Sequence, residues 1–137
     1  MICLDTNAVI ATINRRSPNV RRRLEAALAG SVVVGVPAIV LYELWYGSRK
    51  SARPEVNGLA LSTFLTLAVT PWPFEPEDAE EAGDIRAALE RAGAPIRPYD
   101  VLIAAQARRR RAVLVTANTG EFARVSGLRI ENWSVDP

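Results

Sequence analysis

An α/β fold is what this sequence predicts: a central, mainly parallel sheet of four to five strands with helices on both faces. Three observations carry that prediction. Short apolar runs such as "MICL" and "AVLV" show no polar alternation, as expected of strands buried on both faces. Segments with helical caps and helical periodicity separate those runs. No internal repeat, low-complexity tract or linker divides the 137 residues, so residues 1–137 are expected to form one domain.

"MICLD" is expected to be the first strand, and residues 7–14 a short helical turn. "SPNVRRRLEAALAG" has Ser17 as N-cap, Pro18 at the first helical position and Gly30 as its stop. Val20, Leu24, Ala27 and Leu28 form its apolar stripe. "SVVVGV" predicts the second strand, and Pro37 opens a helix through "PAIVLYELWYGSRK". "SARPEVNG" is expected to be a polar break, with residues 59–66 helical and a third short strand in "LAVTPWPF". "EPEDAEEAGDIRAALERAG" predicts an amphipathic helix with acids in its first turns, where the helix dipole favours them, and Gly93 past its end. Pro98 opens "PYDVLIAAQARRRR", a further helix. "AVLVT" predicts the fourth strand, "TGEFARV" a helical turn, and "LRIENW" a fifth strand or an extended tail.

Composition narrows the chemistry. The chain has no histidine, which excludes His-based triads, Cys–His dyads and nearly all zinc sites. An enzyme built from these residues relies on carboxylates, hydroxyls, amides and arginines, and favours hard cations with oxygen ligands. Lys50 is the only lysine, and the arginines cluster at 15–16, 21–23, 49–53 and 108–111. Such clusters suit phosphate or carboxylate partners, or serve as a solvated surface. No apolar run reaches the ~20 residues of a membrane span, and no basic region precedes the N-terminal apolar residues as in a signal peptide. Cys3 is the sole cysteine, in keeping with a cytoplasmic protein.

Three acids stand apart from the rest. Glu75, Glu77, Asp78, Glu80 and Glu81 lie in polar surroundings. Asp5 ends the first strand, Glu43 sits within "AIVLYELWYG", and Asp100 precedes "VLIAAQA". Each has an individual structural explanation: a turn cap for Asp5, an arginine partner for Glu43, dipole chemistry for Asp100. In a parallel sheet, however, strand ends and the helix starts that follow them gather at one rim. That order brings Asp5, Glu43 and Asp100 to one crevice, with Asn118 and Glu121 at its edge. Bare carboxylates this close repel, and a divalent cation reverses the repulsion. Magnesium or manganese in such a site can activate a water for attack on a phosphodiester.

The segments "LDTNAVI", "PAIVLYELWYGSRKS" and "GAPIRPYDVLIAAQARRRRAVLVTANTGEFARVSGLRIENW" resemble the PIN-domain ribonucleases, specifically the VapC-type toxins of bacterial toxin–antitoxin pairs. The resemblance implies an α/β sheet with an acidic cleft, cleavage of RNA with Mg2+ or Mn2+, a homodimer and a cognate antitoxin. It matches Asp5, Glu43 and Asp100 to the family's acidic metal ligands and Thr6 to the hydroxyl after the first acid. Asn118 stands where many relatives have an aspartate, so Glu121 or Asn118 assists at the second position, or one ion suffices. Thr6 and Thr116 are expected to orient ligands or phosphate. Arg108, Arg109, Arg110 and Arg111 close a helix and favour its dipole, or meet RNA or an acidic antitoxin segment. Trp45 and Tyr46 line an antitoxin groove or a dimer seam, and Leu44 is expected in the core.

The alternative is a catalytically degenerate PIN-like module that binds RNA or a partner protein, motivated by Asn118. A phosphoacceptor signalling domain would want a lysine late in the chain, and a haloacid-dehalogenase-type phosphatase a second aspartate at position 7, which is Asn7.

Overall fold

The computed structural model describes residues 1–135. The chain runs β1 (Ile2–Leu4), α1 (Thr6–Ile13), α2 (Pro18–Ala29) and β2 (Val34–Pro37). It continues through α3 (Ala38–Lys50), α4 (Pro54–Phe64), β3 (Thr70–Trp72) and α5 (Pro76–Arg91). The last elements are α6 (Pro98–Arg109), β4 (Val113–Val115), α7 (Thr119–Phe122) and β5 (Arg129–Glu131). The strands form one five-stranded sheet in the order β3-β2-β1-β4-β5, every pair parallel. Parallel neighbours need crossover connections, so helices lie between successive strands and flank the sheet. Cys3, Leu4, Val34, Val36, Leu114 and Val115 place the core along the three central strands.

β1 is central. The chain leaves it toward β2 and β3, then returns to β4 on its other side. The crevice beyond the carboxyl ends of β1 and β4 is therefore a topological switch point, where open α/β sheets bind ligands. Leu4 pairs with Val115 at that end, and the Asp5 N–H donates to the Val115 carbonyl at 3.2 Å.

Two element boundaries differ from expectation. β2 begins at Val34, because α2 runs to Ala29 and Ser31 turns the chain with a left-handed φ of 60°. Val32 and Val33 are consequently exposed. α4 begins at Pro54, so most of the expected polar break is helix. Proline suits the first helical position, and Glu55 meets the dipole in the first turn. Gly58, a poor helix former, is buried there, facing Ser48, Arg49 and Trp45 of α3 at ordinary contact distance.

Asp78 does not face solvent as its acidic sequence neighbourhood suggests. It is fully buried, accepts from the Arg109 Nε at 2.7 Å and the Arg110 Nη1 at 2.8 Å, and caps the Glu75 N–H. Burial pushes its carboxyl up, but the two guanidiniums outweigh burial and hold it below the usual range. Arg108 adds a bond to Glu81, so α6 is tied to α5 by three arginines. Gln106 is also fully buried, and its amide donates to the carbonyls of Trp72 and Pro73, both at 3.1 Å. The Trp72 ring lies against Gly35, where a Cβ would overlap it, and under the Arg110 guanidinium at 4.9 Å.

Candidate active site

The N-terminal acid does two things. Asp5 caps α1, its Oδ1 accepting from the Ala8 N–H at 2.8 Å. It is also buried at the switch point, beside the Thr116 hydroxyl at the end of β4. Burial raises its carboxyl above the ordinary value, opposed by the bonds from Thr116 and Ala8 and reinforced by the charge of Glu43. The turn-cap explanation and a place in the cleft therefore hold for the same side chain.

Glu43 comes from the second turn of α3. The Thr6 hydroxyl donates to its Oε1 at 2.8 Å, which joins the start of α1 to α3 across the cleft. No ion pair to Glu43 occurs among the described residues, so its partner is a hydroxyl and not an arginine. Asp100 lies in the first turn of α6. Burial and then the charge of Glu121 push its carboxyl up to about 6, with Arg97 opposing and Glu43 adding. The Asp100 Oδ2 is buried yet takes no hydrogen bond.

Glu121 completes the rim from α7. Its Oε1 accepts from the Arg97 N–H at 2.7 Å and its Oε2 from the Asn118 amide at 2.6 Å. Burial raises Glu121, but those two bonds and the Arg97 charge outweigh it and hold the carboxyl low. Asp100 and Glu121 lie close enough for each charge to bear on the other, and the Glu121 charge is the second cause of the rise at Asp100. Thr116 Oγ1 accepts from the Asn118 N–H at 2.9 Å and fixes the turn that carries Asn118.

Asp5, Thr6, Glu43, Asp100 and Asn118 line one cleft of about 480 Å³, with Arg97 and Tyr99 at its mouth. The structure thus gathers the acids that the sequence set apart. Among the described residues, no three acids stand close enough to enclose an ion as they are. Thr6 holds Glu43, Asn118 holds Glu121, and the Arg97 guanidinium lies 3.4 Å from Asp100 and 3.9 Å from Glu121. The donor set still fits a divalent cation. It is all oxygen, burial and neighbouring carboxylates raise Asp5 and Asp100, and the buried Asp100 Oδ2 takes no hydrogen bond. Magnesium keeps several waters and needs only one or two carboxylates directly, so a tight cage is not required.

The arginine cluster closes α6, with Arg108 and Arg109 in its last turn and Arg110 at its C-cap, as the dipole reading expected. Arg108, Arg109 and Arg110 face α5, committed to Glu81, Glu75 and Asp78, and are half-buried. Arg111 alone of the four is exposed. Leu44 is in the core, as expected. Trp45 is half-buried near Gly58 of α4, with Arg49 over its ring. Tyr46 is exposed and stacks on Tyr42 at 6.5 Å, and Tyr42 meets Tyr99 edge-on at 5.6 Å. Tyr42, Tyr99 and Arg97 escaped the sequence reading. Their only signal was position: each tyrosine immediately precedes an acid of the cleft, and Arg97 precedes the helix that carries Asp100.

A PIN domain family model matches residues 2–128. The chain is 40% identical over 131 residues to the tRNA(fMet)-specific endonuclease VapC of Shigella flexneri, covering 96% of both chains. It is 40% identical over 130 residues to ribonuclease VapC2 of Haemophilus influenzae (strain ATCC 51907 / DSM 11121 / KW20 / Rd), covering 95% of this chain and 96% of that one. Among solved structures, it is similar to VapBC2 from Rickettsia felis bound to a DNA fragment from their promoter. That match has a TM-score of 0.91 at 35% identity and covers 97% of this chain and 99% of the other.

Proposed function

The chain belongs to the PIN-domain family, and from that premise we propose that it is a metal-dependent endoribonuclease. It cleaves RNA phosphodiesters as the toxin of a type II toxin–antitoxin pair. The observation that carries the reading is the oxygen-only acidic cleft at the β1/β4 switch point. Asp5, Glu43 and Asp100 hold Mg2+ or Mn2+, with Glu121 or Asn118 assisting directly or through water. Bound there, the ion offsets the repulsion among the acids and supplies the Lewis acidity that phosphodiester hydrolysis needs.

The remaining work falls to the protein. Thr6 fixes one Glu43 oxygen at 2.8 Å, and the α1 N-terminus fixes one Asp5 oxygen, so both carboxylates meet the reaction already oriented. Thr116 steadies Asp5 and the Asn118 turn together. Asp100 Oδ2 takes no hydrogen bond and has only the loose Arg97 contact at 3.4 Å, so it is able to take a proton or a ligand. Tyr42, Tyr46 and Tyr99 offer exposed rings beside the acids, suited to stacking on unpaired RNA bases.

An antitoxin segment fits a second place. An apolar groove of about 480 Å³ runs between α2 and α4, lined by Leu24, Leu28, Leu59, Phe64 and Leu67. Leu59 is 69% exposed there, so the groove suits the apolar face of a partner helix. A homodimer in the cytoplasm completes the proposal.

The test is Asp5→Asn. It is expected to abolish Mg2+-dependent RNA cleavage while circular dichroism shows an intact fold. Full cleavage by a clean preparation removes Asp5 from the mechanism. A calorimetric titration showing no Mn2+ binding to the wild type would favour a degenerate binding module instead.

A further inference from the structure

We infer that Arg97 is the resident counter-ion of the cleft: its guanidinium holds the Asp100–Glu121 edge and competes with a divalent cation for those carboxylates. The inference rests on the metal reading above. Arg97 Nε lies 3.4 Å from Asp100 Oδ2 and 3.9 Å from Glu121 Oε2. Among the described residues, no other ion pair reaches Asp5, Glu43, Asp100 or Glu121.

The guanidinium is close without being bound firmly. Neither contact is a hydrogen bond, and Asp100 Oδ2 is left without any donor despite its burial. The Arg97 side chain is 75% exposed. Exposed ion pairs of this kind are held weakly, because water screens them and a long side chain must be ordered to keep them.

Arg97 is anchored through its backbone. Its N–H donates to Glu121 Oε1 at 2.7 Å, it occupies the N-cap position of α6, and Pro98 fixes the turn that follows. The side chain can therefore swing into solvent while the acids stay in place. Two cations at one edge repel, so the divalent ion gains the edge as the guanidinium leaves it. Arg97 acts here as a positioning residue that sets how readily the cleft loads.

The experiment is calorimetric titration of Mn2+ into the full chain at pH 7.5, with wild type, Arg97→Gln and Arg97→Lys. Glutamine keeps the backbone donor to Glu121 and removes the charge; lysine keeps both. Arg97→Gln is expected to bind Mn2+ roughly three- to ten-fold more tightly. Arg97→Lys is expected to stay within about two-fold of wild type. Melting curves in chelator verify that each variant is folded, and Arg97→Gln is expected to melt lower without the ion and like wild type when saturated with it. Equal or weaker Mn2+ binding by Arg97→Gln overturns the competition, as does a lysine variant that matches the glutamine one. Absence of Mn2+ binding in all three proteins overturns the metal reading itself, and the competition with it.

Discussion

Replacing Asp100 by asparagine is expected to stabilise the metal-free protein at neutral pH, against the common tendency of substitutions to destabilise. The magnitude follows from the cleft. Burial, then the Glu121 charge, moves the Asp100 carboxyl from 3.8 to about 6. Between those values the native state keeps a proton that the unfolded chain has lost, so stability falls as pH rises through the window. Above pH 6 the penalty is complete, at about 3 kcal/mol for Asp100 taken alone. Glu121 is shifted the other way, held low against its burial by the Arg97 N–H, the Asn118 amide and the Arg97 charge, which offsets part of that penalty and leaves roughly 2 kcal/mol as the expected gain. For a domain of this size that is ~6 °C in Tm. The assay is a series of melts in chelator from pH 4 to pH 8, wild type beside D100N. The gap is expected to be widest above pH 6 and to close toward pH 4, where the wild-type carboxyl is already protonated. With saturating Mn2+ the order reverses, since only the wild type offers a carboxylate to the ion. A variant that melts at or below wild type in chelator, by the same margin at every pH, refutes the reasoning.

Two further outcomes concern the frame around the cleft. Gly35→Ala is expected to lower stability by about 3 kcal/mol in urea denaturation, because the added methyl enters the Trp72 ring, which Gln106 and Arg110 hold in place; an unchanged midpoint shows that Trp72 can move. Asp78→Ala is expected to cost about 2–4 kcal/mol at pH 7, since it leaves the half-buried Arg109 and Arg110 without the buried carboxylate they share. The Asp78 carboxyl is held low in the fold, so its contribution is present above pH 3.8 and is lost only as pH falls through its folded value. Wild type and variant should therefore converge in stability only under strong acid.

Much of the fold was legible because the relevant signals are local. Ser17, Pro18 and Gly30 mark the ends of α2 by backbone chemistry alone, and the unbroken apolar runs announce a parallel sheet. Asp5, Glu43 and Asp100 were legible for a related reason: a charge in apolar company stands out. Asp78 was hidden by the same logic. Its neighbours in sequence are acids, and its burial comes from α6, some thirty residues away. The paired arginines of that helix were the available signal, since buried guanidiniums need carboxylates. Arg97 was illegible because nothing local separates an arginine poised over a carboxylate from one in solvent. The start of α4 was missed because Asn57 and Gly58 are poor helix formers, and the contact with α3 overrides their preference.

Helix α6 carries Asp100 in its first turn and Gln106, Arg109 and Arg110 near its other end. The two ends lie ~15 Å apart on one rigid rod. A shift at the riveted end tilts the whole lever, and the carboxylate at the tip travels with it. Drift in the sequence of α5, remote from any reacting atom, is thereby coupled to the aim of the cleft: loosening the rivets is expected to erode turnover in a protein that still folds.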